Sequence, residues 1–334
     1  MNLSKRIDLL VQLGTYIRQD GDAWQSAKQK AYHENGWFLP AFIDQHANDI
    51  ADTFLQKDKL QQWLSAYPAI QDAPASKKKV GIVMAGNIPL VGFHDFLCVF
   101  ISGHQCLIKP SSKDETLIKH LVAQLISWEP ALKEEIIFSE MLKNCDAYIA
   151  TGSNSSAGYF DYYFGKFPHI IRRNRTSVAV LTGKESQEDL TLLADDIFSY
   201  FGMGCRNVTK IYVPEDYDFL PLLDILKKYD YLAEHHKYKN NYDYNLALHL
   251  LNNKAYMSTP ALLLVEEKNV FSPVSQLNYE VYKNEAGLAN EFTENDSLQC
   301  VVGQGFLPFG SAQHPALADY ADGVDTMKWL ETLG

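Results

Sequence analysis

Of the five cysteines in this sequence, at 98, 106, 145, 205 and 300, Cys205 has the neighbours that a nucleophile needs. It stands in Gly202-Met203-Gly204-Cys205-Arg206-Asn207, where the two glycines leave room for a substrate and a guanidinium favours thiolate over thiol. Cysteines as a class are among the most buried residues, so this loop taken alone leaves an inert core thiol open as the other reading. Cys98, Cys106, Cys145 and Cys300 fall within a helix, a strand, a helix end and a strand, and read as core. Three turns carry a second set of groups. Gly86-Asn87-Ile88-Pro89-Leu90 follows one apolar run, Lys109-Pro110-Ser111-Ser112 a second, and Thr151-Gly152-Ser153-Asn154-Ser155 a third. At the carboxyl ends of neighbouring strands they would offer an amide, an ammonium, hydroxyls and backbone N–H groups to one phosphate-bearing ligand. Singly each is weak, because Asn and Gly are ordinary turn residues. No G-x-G-x-x-G follows a strand, so the usual dinucleotide fingerprint is missing. The ten histidines show no metal-ligand spacing. His235 and His236 are adjacent and cannot share a helix face, and His94 and His104 read as hydrogen-bonded structural residues. No metal site is expected.

The elements that would position these groups follow from periodicity. Leu9, Leu10, Leu13 and Ile17 recur at helical spacing, as do Phe42, His46, Ile50, Phe54 and Leu55, so residues 3–70 read as helices with a break at Trp37–Pro40. Gln71–Lys79, with Pro74, Ser76 and three lysines, reads as a linker and solvated strand flank. Strands are expected at Val80–Ala85, Gln105–Lys109, Ala147–Ala150, His169–Ile171 and Ser177–Leu181, with helices at Leu90–Ile101 and Thr116–Trp128. That alternation indicates an α/β fold, a doubly wound parallel sheet whose ligands sit at the strands' carboxyl ends. A second α/β part begins near Leu190: a helix to Phe201, the Cys205 loop, and a strand at Val208–Val213. A polar, aromatic surface helix or insertion at Tyr231–Asn245 and strands at Ala261–Val265 and Leu298–Val302 complete it. The expected domains are 1–180, N-terminal helices with a nucleotide-binding domain, and 181–334, a catalytic cysteine domain.

Composition bounds the function. A chain of 334 residues exceeds one simple core. A net charge of −11 argues against general nucleic-acid binding, since phosphates would be repelled. Met1–Asp20 lacks the apolar core and cleavage site of a signal peptide, and no run is long enough to span a bilayer. The odd cysteine count without C-x-x-C fits reduced thiols, so the cytoplasm is the expected compartment.

Over about residues 78–330 the order and spacing of these motifs resemble the aldehyde dehydrogenase superfamily. Val80–Leu90 is similar to the strand and turn carrying that family's oxyanion-hole asparagine, which falls on Asn87. Ile108-Lys109-Pro110-Ser111 resembles the Lys-Pro segment at the adenosine ribose, and Thr151-Gly152-Ser153 the turn beside the cofactor phosphates. Gly204-Cys205 with Lys210–Val213 resembles the nucleophile loop and its following strand. Phe271-Ser-Pro273 and Pro308-Phe-Gly310 resemble two later motifs. The family's water-activating glutamate falls on Ile171, and Asn269 stands where a glutamate grips the nicotinamide ribose. A chain that forms an acyl-thioester but lacks the base to hydrolyse it suits exchange with a thiol such as coenzyme A. With Asn174-Arg-Thr-Ser177 and Asp319–Thr326, the pattern resembles the LuxC-type acyl-CoA reductases. The resemblance implies reduction of an acyl-CoA to an aldehyde, with Cys205 and Asn87 catalytic and Lys109, Ser111, Ser112, Thr151, Gly152 and Ser153 binding the cofactor. NADPH is expected over NADH, because Ser112 and Lys113 replace the glutamate that would repel a 2′-phosphate. An ordinary aldehyde or semialdehyde dehydrogenase, an acyl-phosphate reductase and a non-catalytic nucleotide-binding protein are the alternatives. The family's strand-exchange arm is not expected here, because Asp72–Lys79 is too short for a hairpin and no final strand follows Thr326–Leu333.

Overall fold

The computed structural model describes residues 1–70, 74 and 76–333. It separates into two compact units, Met1–Asn174 with Pro315–Gly334, and Arg175–His314.

The first unit opens with helices α1 (Leu3–Gln19), α2 (Asp22–Glu34), α3 (Pro40–Asp49) and α4 (Lys57–Leu64), with a π turn at Ile50–Phe54. Asn2 caps α1 by accepting from the Lys5 N–H, and Leu9, Leu10, Leu13 and Ile17 are buried as their spacing requires. Breaks occur at Gly21 and Gln56 as well as near Trp37. Of the expected linker and of the expected missing arm, residues 71–73 and 75 lie outside the described residues; Lys79 is already the first residue of a strand.

Strand β1 (Lys79–Val83) leads to α5 (Phe93–Ser102), β2 (Gln105–Lys109), α6 (Thr116–Trp128), β3 (Ile136–Phe138), β4 (Ala147–Thr151), α7 (Asn154–Phe164) and β5 (His169–Arg172). The sheet is fully parallel in the order β3-β2-β1-β4-β5. Helix α5 starts three residues later than expected, because Leu90 has a left-handed backbone at φ +54°. Strand β3 was not expected from the sequence; three residues are too few to show a period. Val80 and Ile82 join the large apolar core with α1, α5 and α6. Gly81 faces the other side, where a Cβ would lie 2.8 Å from the Tyr148 ring.

The second unit holds β6 (Thr176–Val180), α8 (Gln187–Phe198), β7 (Val208–Pro214), α9 (Leu220–Leu226), α10 (His236–Leu251), β8 (Met257–Ser258), β9 (Leu263–Glu266), β10 (Gln276–Tyr282), α11 (Glu285–Thr293) and β11 (Leu298–Gly303). Its sheet runs β11-β6-β7-β10-β9-β8, parallel except for the β8–β9 pair. Helix α8 stops at Phe198 instead of running to Phe201, since Tyr200 and Phe201 are both left-handed. Asp196 on α8 is fully buried, accepts the Gly310 N–H at 2.7 Å through Oδ2, and is pushed up to about 7 by desolvation.

The chain then returns to the first unit in α12 (Thr326–Glu331). The unit boundaries therefore differ from the expected 1–180 and 181–334. Strand β6 pairs with β7 and β11, which carries the junction back to Asn174. Tyr320, Met327 and Leu330 belong to the first unit's core, which reclaims Pro315–Gly334. The Asp319–Thr326 stretch is a polar buckle within that unit. The Tyr320 hydroxyl accepts from Trp63 Nε1 at 2.8 Å and shares a hydrogen bond with Tyr67, whose hydroxyl donates to Asp325. Arg172, at the end of β5, is buried with its guanidinium paired to Asp95 on α5 and donating to Thr326 Oγ1 at 2.8 Å.

Two expectations follow. Arg172→Ala leaves a buried carboxylate at Asp95 without its partner, which costs about 3 kcal/mol or more. All five tryptophans lie in the first unit, so intrinsic fluorescence in urea reads the loss there directly; an unchanged midpoint refutes a stabilising role for the pair. The second concerns Asp196. Its folded pKa of about 7 lies above the ordinary value of 3.8, so the folded state holds the extra proton between them. Stability then falls as pH rises through that window, by up to about 1.4 kcal/mol per pH unit for one proton. Relative to wild type, Asp196→Asn should gain stability between pH 5 and pH 7. Unfolding midpoints that shift in parallel across that range would show that Asp196 does not titrate there.

Candidate active site

In the first unit the sheet order defines an edge. From β1 the chain winds outward through β2 and β3, and from β4 it winds the opposite way to β5. The switch between β1 and β4 is where doubly wound sheets hold ligands, beyond the strands' carboxyl ends. The turns after β1, β2 and β4 all leave from that edge, because the three strands are neighbours and parallel. Asn87 is half-buried in the first turn. Lys109 is exposed as the last residue of β2, opposite Val83; Ser111 is half-buried and Ser112 exposed. Thr151 ends β4, and Ser153 caps α7 by accepting the Ser156 N–H at 3.2 Å.

Two glycines set how closely these segments approach. A Cβ on Gly86 would stand 2.5 Å from Ser111 Oγ, and one on Gly152 would stand 2.9 Å from the Phe160 ring. Ammonium, hydroxyls and the N-terminus of the eleven-residue α7 suit a phosphate-bearing nucleotide along this edge. An acid that the sequence offers only as a charge beside Lys113 takes a structural place here. Asp114 is buried, accepts the Leu90 N–H at 2.6 Å, and is pushed up to about 7 by desolvation. Its only local signal was an acid beside Glu115 just ahead of α6.

In the second unit the Cys205 loop, between α8 and β7, is tied down by the Asn207 side chain. Asn207 is fully buried. Its Oδ1 accepts the Gly204 N–H at 2.7 Å, and its Nδ2 donates to the carbonyls of Asp196 and Ser199, each at 2.9 Å. Three successive left-handed residues, Tyr200 (φ 55°), Phe201 (φ 60°) and Gly202 (φ 73°), turn the chain into the loop. The Cys205 carbonyl accepts from Ser177 Oγ at 3.1 Å, and Ser177 also meets Cys300 Sγ at 3.0 Å. Gln313 Nε2 donates to the Arg206 carbonyl at 2.9 Å.

Cys205 and Cys300 are half-exposed, the latter against the expectation of a core residue, whereas Cys98, Cys106 and Cys145 are buried. Burial pushes the thiols of Cys98, Cys106, Cys145 and Cys300 up, which disfavours thiolate at each. The Arg206 guanidinium, expected to act on Cys205, hydrogen-bonds Cys300 and opposes its upward shift. Asn207 and Ser177 were visible in the sequence only as neighbours within motifs.

The later motifs have structural anchors. Asn278 Nδ2 donates to the carbonyls of Asn269 and Phe271, fixing the Phe271-Ser-Pro273 turn. The Gly310 N–H ties Pro308-Phe-Gly310 to Asp196 on α8. Ile171 is half-buried in β5, beside the paired Arg172. Among the described residues no group of three or more His, Cys, Asp or Glu side chains could hold a metal ion, and no helix is long and apolar enough to cross a membrane.

Solved structures with this fold are aldehyde dehydrogenases and related enzymes. An NADP-dependent enzyme from E. coli superposes with a TM-score of 0.68 at 11% identity, covering 90% of this chain and 73% of that one. Aldehyde dehydrogenase 21 from Physcomitrella patens, in complex with the product succinate, gives 0.65 at 12% identity over 91% and 74%. A Mycobacterium tuberculosis aldehyde dehydrogenase complexed with NAD+ gives 0.63 at 10% over 87% and 70%. At such identities the likeness is one of fold. No curated protein matches the sequence. The acyl-CoA reductase (LuxC) family model matches residues 47–221, just over half of the chain and a span that takes in Asn87, Lys109, Thr151 and Cys205. The chain therefore belongs to the LuxC family of acyl-CoA reductases, oxidoreductases, and carries it on an aldehyde dehydrogenase-like fold.

Proposed function

We propose that this chain reduces an acyl-CoA thioester to an aldehyde through an acyl-enzyme on Cys205, with NADPH as the preferred reductant. The observation that carries the reading is the half-exposed Cys205 in a loop pinned by Asn207, together with an apolar Ile171 where a water-activating glutamate would stand. The Cys205 thiolate attacks the thioester carbonyl. The oxyanion that forms is held by the Asn87 amide and the Cys205 backbone N–H, a kind of contact that contributes ~3–4 kcal/mol in the transition state. Collapse breaks the bond to the CoA sulfur, which leaves and takes up a proton, and the acyl group stays on Cys205. Lys109, Ser111, Ser112, Thr151, Gly152 and Ser153 would hold the adenosine ribose and phosphates of a nicotinamide cofactor, which would supply the hydride that takes the acyl group to the aldehyde level. Final cleavage of the carbon–sulfur bond returns the Cys205 thiolate. With Ile171 in place of a general base, hydrolysis of the acyl-enzyme has no activated water, which disfavours an ordinary aldehyde dehydrogenase.

The NADPH preference rests on the turn after β2. Ser112 and Lys113 are exposed, the nearby Asp114 carboxyl is turned inward onto the Leu90 N–H, and Glu115 pairs with Lys119.

Oxidation of NADPH by the purified chain with a panel of acyl-CoAs, with aldehyde and free CoA measured, tests the reaction. Activity confined to acyl phosphates, or to aldehyde oxidation, overturns it. Mass spectrometry after acyl-CoA addition without cofactor should show one acyl adduct, absent in Cys205→Ala; an adduct that persists, or sits on Cys98 or Cys300, removes Cys205 as nucleophile. Comparing kcat/KM for the two cofactors should favour NADPH, and a clear advantage for NADH refutes the preference.

A further inference from the structure

The turn that carries Asn87 is gripped at both ends by the segment that follows β2. At its entry, Gly86 packs so closely on Ser111 that a Cβ would lie 2.5 Å from Oγ and 2.6 Å from Cβ of that serine. At its exit, the Leu90 N–H donates to Asp114 Oδ2 at 2.6 Å. Leu90 is left-handed at φ +54° and buried, a backbone state that costs a side-chain-bearing residue roughly 1–2 kcal/mol. Its N–H is held by the Asp114 carboxyl, while its carbonyl accepts the Phe93 N–H at 2.9 Å. The gripping segment is itself braced: the Asp114 N–H donates to the Ser111 carbonyl at 2.9 Å, the Lys113 N–H to Ser111 Oγ at 3.3 Å, and Asn35 Nδ2 to the Lys113 carbonyl at 3.2 Å. Asp114 is buried, and its second oxygen, Oδ1, has no hydrogen-bond partner among the described residues. A buried carboxyl group with one oxygen unpartnered costs stability, so its position calls for a purpose beyond solubility.

We propose that Asp114 is a positioning residue for the oxyanion contact: through the Leu90 N–H it fixes the Asn87 turn against the Ser111–Asp114 segment. The consequence is that the turn offering Asn87 and the turn offering Ser111 and Ser112 move as one piece. This inference rests on the reading of Asn87 as the oxyanion donor. A misplacement near 1 Å at such a donor can lower the rate by about 100-fold, so the clamp matters to kcat more than to binding.

The test compares Asp114→Ala, Asp114→Asn, Asn87→Ala and the Asn87→Ala/Asp114→Ala double variant, each checked for native circular dichroism. Asp114→Ala should lower kcat with acyl-CoA about 10-fold or more, with KM within about twofold. Asp114→Asn keeps an oxygen acceptor for Leu90 and should recover most of the rate. Because Asp114 acts through Asn87, the double variant should be no slower than Asn87→Ala alone, whereas an independent structural role gives additive losses. Amide hydrogen exchange at Leu90, read without substrate or cofactor, should speed up in Asp114→Ala and not in Asp114→Asn. Unchanged exchange at Leu90, additive losses, or equal losses in the Ala and Asn variants would each overturn the clamp. An unchanged kcat in Asn87→Ala would instead overturn the role of Asn87, whatever Asp114 does to Leu90.

Discussion

The first unit depends on the parallel pairing of β1 with β2 on one side and β4 on the other. Parallel strands that start from one edge must finish at the opposite edge, so three turns far apart in the chain leave the sheet side by side. Each turn contributes what its own sequence offers: an amide after β1, an ammonium and hydroxyls after β2, a helix N-terminus after β4. The apolar runs supply the pairing, since Val80, Ile82, Cys106, Ile108, Ala147 and Ile149 are buried. No glycine-rich dinucleotide fingerprint is needed for this arrangement. Close approach is obtained instead at Gly86 and Gly152, where any side chain would meet a neighbour.

The second unit solves a different problem. The Cys205 loop has no hydrogen-bond ladder of its own to fix it. Here the Asn207 side chain replaces that ladder, closing on the Gly204 N–H and on the carbonyls at the end of α8. Such bonds contribute about 1 kcal/mol each. That is of the same order as the strain of the left-handed Tyr200 and Phe201, roughly 1–3 kcal/mol apiece. The strained pair and the buried amide therefore belong to one device that ends α8 abruptly and leaves Cys205 half-exposed. Membership of the acyl-CoA reductase family gives that exposure a chemical context.

Buried polar groups fix what the apolar cores leave open. Apolar contact is non-directional, so the cores hold elements together without choosing one register for each turn. Arg172 with Asp95 and Thr326, the Tyr67–Tyr320–Trp63 set, and Asp114 with Leu90 each join elements distant in sequence through directional bonds. Each is costly to desolvate, and each becomes a liability if one partner is removed.

The sequence by itself determined the fold class, most of the first sheet's strands, the strand-end turns and the glycine-flanked Cys205. Those are local: short β-rich apolar runs, turn residues and helical spacing are written within ten residues. It also carried the absence of a glutamate at Ile171, which is a matter of residue type alone. Tertiary structure alone decided the rest. Periodicity says which face of α12 is buried but not against what, so Pro315–Gly334 looked like part of the cysteine domain until Tyr320, Met327 and Leu330 were seen in the first core. Strand β10, Gln276–Tyr282, went unread because its polar residues Asn278 and Glu280 are satisfied by partners elsewhere in the chain, at Asn269 and Lys210. Asp114 and Asn207 looked like ordinary turn residues. Their importance lies in donors and acceptors that the fold brings to them, and a hydrogen bond between Leu90 and a residue 24 positions away leaves no local trace in the sequence.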